Sequence, residues 1–332
     1  MENPLKYFAK LQDPRVERTR EHLLEEILLL TIAAVLSGAS GWNEIEDYGR
    51  TKIDWFKSFL TLPSGIPSHD TFNRVFSALD PEELERGFVA WVASLAKLTA
   101  GEVVGIDGKM LRGTRGKKAI VHMVSAWANS NNLVLAQRRV DDKSNEITAI
   151  PKLLKILELS GTIVTIDAIG CQRSIAQQIV EYKADYILAV KENQGHLLED
   201  IQDSFRMLPA DSVAEEIDCG HGRVERRTCS VIGDLSLLEN SSQWIGLQGL
   251  VRIQAERFHK ATGKTENETR YYITSLPPQA SKLNSAIRQH WGIENKLHWV
   301  LDVAFGEDLC RKRAGHAAQN FSLINRLVLN LL

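Results

Sequence analysis

Two short apolar runs, each ending in an aspartate, constrain the fold of this 332-residue chain more than any other feature. The first is Glu102-Val103-Val104-Gly105-Ile106-Asp107, and the second is Thr162-Ile163-Val164-Thr165-Ile166-Asp167. Runs of this kind are typical of buried strands. Gly108 lets the backbone turn after the first run, so each strand is expected to present a carboxylate at its end. Taken alone, Asp107-Gly108 is also typical of an ordinary turn.

The hydrophobic pattern around these runs predicts an α/β fold. Further strands are predicted at 120–128, 133–140 and 186–190, with helices at 147–159 and 172–183. Helices that alternate with strands favour parallel crossovers. The resulting order of strand, strand, strand, helix, strand, helix, strand is that of a ribonuclease H-like core, in which the first and fourth strands are neighbours. Asp107 and Asp167 are then expected side by side at one edge of the sheet, where open α/β sheets place their sites.

Changes of hydrophobic period divide the chain into domains. Residues 1–100 are predicted to form an all-helical N-terminal accessory domain, and residues 101–332 the α/β domain. A β-rich insertion at about 210–276 is expected to interrupt the α/β domain before a helix that starts near residue 280. The helices within 54–79 suit a helix-turn-helix DNA reader. A plain helical bundle is slightly favoured, because acidic residues outnumber basic ones in residues 1–100.

The bulk composition limits the classes of function. The formal net charge is -2, so any nucleic-acid contact has to be a local basic patch. The four cysteines form no C-x-x-C pair, which argues against a structural zinc site. The N-terminus lacks the apolar region of a signal peptide, and the longest apolar run, 27–36, is too short to span a bilayer. A cytoplasmic protein without membrane contact is expected.

A cationic segment follows Asp107 directly. It contains Lys109, Arg112, Arg115, Lys117 and Lys118 and no acid. An acid beside a cationic loop suits metal-dependent chemistry on phosphates, and we expect these side chains to contact DNA phosphates. A charge run of this kind is otherwise an ordinary solvated loop.

A third acid lies in a segment rich in aromatic residues. Glu294 belongs to the helix predicted after the β-rich insertion, and His298 and Asp302 follow at four-residue steps on the same face. These two side chains are the competing candidates for a ligand role on this helix. Glu294 is equally open to a purely structural reading, in which it pairs with Arg288 or Lys296. Carboxylates that converge repel one another unless a cation lies between them, and Mg²⁺ prefers such oxygen ligands.

Several motifs in order resemble the DDE insertion-sequence transposases of the H-repeat-associated group. They are Gly105-Ile106-Asp107-Gly108-Lys109 with Arg112-Gly113, Thr165-Ile166-Asp167-Ala168 with Gln172, Val190-Lys191-Glu192-Asn193-Gln194, His290-Trp291-x-Ile293-Glu294-Asn295-x-Leu297-His298-Trp299-x-Leu301-Asp302-Val303, and Ser68-His69-Asp70-Thr71-Phe72 in the accessory region. The resemblance covers nearly the whole chain. It implies a ribonuclease H-like core in which Asp107, Asp167 and Glu294 are the catalytic and metal-binding acids.

The same resemblance implies the reaction and its partners. The expected function is that of a bacterial insertion-sequence transposase, which uses two Mg²⁺ ions, or Mn²⁺ in their place, to cut DNA at element ends and to transfer the strands. The expected partners are double-stranded end and target DNA and a second copy of the chain on paired ends, at the nucleoid. Lys191, Arg288 and Lys296 join the cationic segment as expected DNA contacts.

The sequence departs from this family pattern in two ways. Ile287, His290 and Leu301 stand where the wider superfamily often has Tyr, Arg and Lys, and Arg288 and Lys296 are the available substitutes. The chain also stops in an apolar helix where relatives commonly continue into a basic tail. Two alternatives therefore stay open. One is a metal-dependent nuclease with the same core, and the other is a truncated, inactive transposase that only binds DNA.

Overall fold

The computed structural model describes residues 3–116, 120–141, 144–220 and 222–332, and its centre is one nine-stranded sheet. The strands are β1 (Val103–Leu111), β2 (Val121–Ala128), β3 (Leu133–Arg139), β4 (Ile163–Ile166), β5 (Asp185–Val190), β6 (Ser212–Gly220), β7 (Arg223–Ile232), β8 (Gly249–His259) and β9 (Lys264–Thr274). Their order across the sheet is β3-β2-β1-β4-β5-β9-β8-β7-β6. β1, β4 and β5 run parallel, and the other described pairings are antiparallel.

Helices surround this sheet and form the first third of the chain. They are α1 (Leu24–Leu36), α2 (Trp42–Thr51), α3 (Ile53–Lys57), α4 (His69–Ala78), α5 (Pro81–Leu95), α6 (Glu146–Leu154), α7 (Arg173–Glu181), α8 (Gly195–Met207), α9 (Ala280–His290), α10 (Trp299–Val303) and α11 (Ala317–Leu331). No helix in the described part of the chain has the length and apolar character that a membrane crossing needs.

The two faces of the sheet are covered by different helices. α6 packs on β2 and β3, and α7 packs on β5. On the opposite face, α9 packs on β1, β4 and the strands β6 to β8, while α11 packs on β2 and β3. Side chains alternate between faces along a strand. Asp107 and Lys109 in β1 accordingly point to the α9 face, where their partners are His298 and Asp302.

The last helix joins the N-terminal helices to the sheet. α11 packs against α1, α4 and α5 as well as β3. The side-chain amide of Asn320 in α11 donates hydrogen bonds to the carbonyls of Phe76 and Leu79 at the end of α4, at 2.9 and 3.0 Å. The predicted helical N-terminal region is thus present, and it shares one hydrophobic core with the sheet.

The N-terminal region is built as a bundle. Eleven residues, 58–68, separate α3 from α4, whereas a helix-turn-helix has a turn of about three or four residues. Phe72, Val75 and Phe76 of α4 are fully buried. Of the two alternatives for 54–79, this arrangement favours the plain bundle.

The expectation that β1 ends at Asp107 is wrong. The strand continues to Leu111, because Gly108 to Leu111 pair with Val121 to Val124 of β2. Gly108 lies within this strand and not in a turn, and two side chains approach it closely. A Cβ at this position would lie 2.0 Å from the Glu146 carboxylate and 2.8 Å from the His122 ring.

The expectation of a separate β-rich insertion is also corrected. Residues 212–274 do form strands between α8 and α9, and they include β6, which the sequence pattern did not indicate. The strands continue the core sheet, however, because Ile187 to Val190 of β5 pair with Tyr271 to Thr274 of β9. A hydrophobic period predicts that a segment is a strand, but it does not identify the strand's neighbour.

Glu85 of α5 provides a pH-dependent contact between the helical region and the sheet. Burial raises the pKa of Glu85 to about 8, which Arg138 of β3, 3.0 Å away, only partly offsets. The folded state therefore binds a proton that the unfolded chain releases above its ordinary pKa of 4.5. The contribution of protonated Glu85 to the free energy of unfolding is fully present below pH 4.5. It is lost as the pH rises toward 8, by up to about 1.4 kcal/mol per pH unit.

We expect Glu85→Gln to remove this part of the pH dependence. Urea unfolding at pH 5 and pH 8 measures it as the difference between the variant and the unchanged protein. Glu82→Gln is the matched control, because Glu82 lies 3.5 Å from the same Arg138 with its side chain 68% exposed. Equal stability differences at the two pH values for Glu85→Gln would contradict the expectation.

Candidate active site

Asp107 and Asp167 lie beside each other at the point where β1 and β4 stop pairing. The parallel register runs from Val103 opposite Ile163 to Ile106 opposite Ile166. Asp107 and Asp167 are the next residues on the two strands. The predicted adjacency of these two strands is confirmed. It was predicted from the order of strands and helices along the chain.

Glu294 approaches from a helical segment that lies over β1. After α9 ends at His290, residues Ile293–His298 form a π-helical turn that leads into α10, where the sequence predicted one continuous helix. Such π-turns are frequently found at functional sites. Gly292 permits the close approach, since a Cβ there would lie 2.1 Å from the side-chain oxygen of Asn129. Glu294 and Asp167 both line a cleft of about 480 Å³.

The three acids differ in their electrostatic surroundings. Burial acts to raise the pKa of Asp107, but the hydrogen bond and charge of His298, whose Nδ1 lies 3.4 Å from the carboxylate, bring it below its usual value. Burial raises the pKa of Glu294, and the negative charges of Asp107 and Asp167 raise it further. Glu294 is thus within electrostatic reach of both aspartates.

His290 fills the space behind the acids. Burial lowers the pKa of its imidazole, although the charges of Asp107 and Asp167 act in the opposite direction. Its Nδ1 lies 2.9 Å from the hydroxyl of Thr165 in β4. The neutral ring thereby fixes the end of α9 against the strand that leads to Asp167. The sequence analysis used His290 as part of a family motif and as a departure from the superfamily pattern, but assigned it no role.

Basic side chains contact both aspartates. The ammonium of Lys191 lies 3.9 Å from Asp167, and His298 contacts Asp107. Within the described ranges, no group of three His, Cys, Asp or Glu side chains is already arranged around a common metal position. The arrangement brings together oxygen ligands of the type that Mg²⁺ prefers.

Asp302, the competing acid on the same helix, has a different environment. Its carboxylate accepts a hydrogen bond of 2.6 Å from the ammonium of Lys109, whose side chain is only 8% exposed. Asp308 lies 3.7 Å from the same ammonium. Lys109 therefore connects β1 to α10. Its ammonium is not open to solvent, whereas the expected contact with a DNA phosphate requires an exposed ammonium.

The rest of the cationic segment lies at the surface beside β1. Arg112 and Arg115 are exposed, whereas Lys117 and Lys118 fall outside the described residues. Gly113 packs so closely that a Cβ would lie 2.3 Å from the Cys310 carbonyl oxygen. This packing brings the segment with the exposed Arg311 and Arg313 against Gly113, whose carbonyl accepts a hydrogen bond of 3.1 Å from Arg313. Sequence reasoning missed both; the run Arg311-Lys312-Arg313 was the available signal.

The remaining expected DNA contacts border the acids. Lys191 lines the cleft that contains Asp167 and Glu294. Arg288 pairs with Asp218 of β6 at 2.5 Å, and Lys296 donates to the side chain of Asn132 at 2.9 Å. The alternative in which Glu294 pairs with Arg288 or Lys296 does not describe this arrangement, because both cations bond elsewhere.

Sequence comparisons identify related proteins. The family model described as "Transposase DDE domain" matches residues 99–331, and the model described as "DDE_Tnp_1-associated" matches residues 5–92. "Putative transposase YncI" of Escherichia coli O157:H7 is 41% identical over 99% of this chain and 86% of its own length. "H repeat-associated putative transposase YhhI" of Escherichia coli strain K12 is 39% identical over 99% of this chain and 89% of its own. The chain therefore belongs to the DDE transposase family.

Proposed function

We propose that this protein is a metal-dependent transposase that cuts DNA at the ends of a mobile element and joins the ends to target DNA. Asp107, Asp167 and Glu294 are the three acids of the site. The observation that carries the proposal is the parallel register of β1 and β4, which makes the two aspartates neighbours beneath the π-helical segment with Glu294. The ribonuclease H-like order β3-β2-β1-β4-β5 supports it.

The residues present fit a divalent metal ion. The donors are three carboxylates, which are hard oxygen ligands of the kind that suits Mg²⁺ and Mn²⁺. Burial raises the pKa of Glu294 and the negative charges of Asp107 and Asp167 raise it further, so the site favours an added cation. A bound pair of Mg²⁺ ions would supply activation of the attacking oxygen and charge stabilisation at the leaving oxygen of a phosphodiester.

The protein's own side chains orient these acids and the DNA. His298 holds the Asp107 carboxylate, and His290 holds the end of α9 through Thr165. The ion pair between Lys109 and Asp302 fixes α10, and with it the π-helical segment, to β1. Lys191, beside Asp167, and the exposed Arg112 and Arg115, beyond the end of β1, are proposed to contact phosphates, and a second copy of the chain is proposed to act on the other end.

The role of Glu294 is tested by comparing Glu294→Gln with Asp302→Asn under Mg²⁺. We expect Glu294→Gln to lower cleavage of element-end DNA by about 10³-fold or more, because it removes a metal ligand. Asp302→Asn is expected to cost only roughly tenfold, because it loosens a group that positions the ligand. Single-turnover cleavage of a labelled end duplex measures both effects.

A larger loss of cleavage in Asp302→Asn than in Glu294→Gln would assign the role of third acid to Asp302. No loss of cleavage in either variant would remove this helix from the site.

The products decide between a transposase and a nuclease with the same core. A transposase joins the cut 3′ end to an added target plasmid, whereas a nuclease releases the end and joins nothing.

A further inference from the structure

A separate cavity lies apart from the three acids. Its volume is about 780 Å³, and the described residues that line it include none from the cleft that contains Asp167 and Glu294. It opens between α5, the edge strand β3 and residues 156–160, which follow α6. These residues lead into the start of β4, whereas Asp167 follows the end of that strand. The cavity is therefore distinct from the proposed active site.

One face of α5 forms an apolar wall of this cavity. Val89, Val92 and Ala93 line it and lie three and four residues apart, so they share one side of the helix. Ile156 and Leu157 also line the cavity, and like Val89 they are only partly buried against the main hydrophobic core. The cavity has the size and the apolar lining that are typical of small-molecule sites.

The cavity is elongated along α5. Glu85 and Ala93 both line it, and the eight residues of helix from one to the other correspond to about 12 Å. An extended alkyl chain matches this shape better than a compact ring.

A buried polar pair lies at one end of the cavity. The Glu85 side chain is only 8% exposed, and its Oε2 lies 3.0 Å from the guanidinium of Arg138. Oε1 of Glu85 and Nε of Arg138 are buried and have no hydrogen-bond partner within the described part of the chain. Buried polar atoms normally have such partners. Arg138 also lines the cavity and its side chain is 22% exposed, so this cation is accessible to a ligand.

The charges around the cavity favour an anionic head group on that ligand. Burial raises the pKa of Glu85 to about 8, so at neutral pH this carboxyl is protonated and donates a hydrogen bond. The other charged residues of the lining are Arg86, Lys97 and Arg138, against Glu158. A carboxylate accepts hydrogen bonds from a guanidinium and from a protonated carboxyl alike.

We propose that this cavity binds an aliphatic monocarboxylate of medium chain length, with the carboxylate on Arg138 and Glu85 and the alkyl chain along α5. The inference goes beyond the proposed function and does not depend on it. A bound chain contacts α5, β3 and residues 156–160 together, so it links the N-terminal helical region to the sheet. A ligand that binds only the folded state also raises the thermal stability of the protein.

Three ligands with the same tail and different head groups test this assignment. Octanoate, octanol and octylamine are titrated into the full-length protein at pH 7 by isothermal calorimetry, without DNA or metal. Octanoate is expected to bind about tenfold or more tightly than octanol, because charge-assisted hydrogen bonds are stronger than neutral ones, and octylamine is expected to bind least tightly. Octanol or octylamine binding as tightly as octanoate, or no binding of octanoate, would overturn the assignment.

Ala93→Phe tests the position of the alkyl chain. Ala93 is exposed on α5 and lines the cavity, so the larger side chain takes space from the ligand and leaves the buried core unchanged. Displacing two methylene groups is expected to weaken octanoate binding by roughly 15-fold. Unaltered affinity in this variant would place the ligand elsewhere and would equally contradict the proposal.

Ser94→Phe is the matched control for this variant. Ser94 is the next residue of α5 and is exposed, but it does not belong to the lining of the cavity. It should keep the octanoate affinity of the unchanged protein, and thermal unfolding of both variants monitors the fold. Neither measurement involves DNA. Failure of the proposed function would therefore appear as octanoate binding without DNA cleavage, and failure of this inference as cleavage without octanoate binding.

Discussion

Asp107→Asn is expected to abolish DNA cleavage while DNA binding and the folded state persist. The substitution keeps the shape of the side chain but removes a negative charge that a metal pair requires, so the loss should be about 10³-fold or more. The Asp107 side chain is only 19% exposed, so a water molecule has little room to replace the lost carboxylate as a metal ligand. Cleavage of an end duplex under Mg²⁺ and binding of the same duplex in EDTA measure the two properties.

Asp54→Asn is the matched control for this prediction. Asp54 lies exposed in α3, far along the chain from the acids, and its substitution makes the same chemical change. It should leave both cleavage and binding unchanged. Cleavage by Asp107→Asn within tenfold of the unchanged protein would remove Asp107 from the metal site.

Arg326→Leu is expected to cause the largest loss of stability. Arg326 of α11 is fully buried and donates to Glu307 at 2.7 Å, and Glu307 is itself only 3% exposed. Removing the guanidinium leaves a buried carboxylate without its partner, which costs about 3–5 kcal/mol of unfolding free energy. The same arginine lies 3.4 Å from Ser125, the residue of β2 opposite Asp107. Urea and thermal unfolding measure the effect.

A double variant separates the unpaired charge from simple loss of packing. Arg326→Leu/Glu307→Leu should recover most of the stability, because apolar pairs replace buried ion pairs at little cost. The exposed pair of Arg206 and Asp203 gives the comparison, and Arg206→Ala should cost less than about 1 kcal/mol. A single Arg326→Leu variant as stable as Arg206→Ala would contradict the expectation.

The sequence contains enough to predict the strands that position the first two acids. Apolar runs before Asp107 and Asp167 are strong local signals, and the order of elements makes their strands neighbours. Glu294 could be recognised only through resemblance to a family. It lies in a π-helical segment that follows Gly292, where Gly292 packs against Asn129, and no local pattern reveals this geometry.

Contacts between distant segments account for what was missed. The partner of Lys109 is Asp302, and neither residue alone indicates the ion pair. The cleft lined by Arg223, Arg227, Arg257 and Arg270 depends on the register of β7, β8 and β9. In the sequence alone, the alternating charges of these strands are typical of any strand with one face in solvent. β6 is mostly exposed and polar, so it lacks the apolar period that marks a strand.

The pairing of β5 with β9 also has a consequence for the order of folding. Ile187 pairs with Thr274, and α8 and the strands β6 to β8 lie between them in the chain. Pairings between residues so far apart form slowly, because loop closure precedes any gain from the contact. α9 follows β9 in the chain and packs on β1 and β4, so we expect Glu294 to reach the two aspartates late in folding. Under the proposed mechanism, a chain still folding displays two acids without the third, and its ability to cut DNA is withheld until the fold is finished.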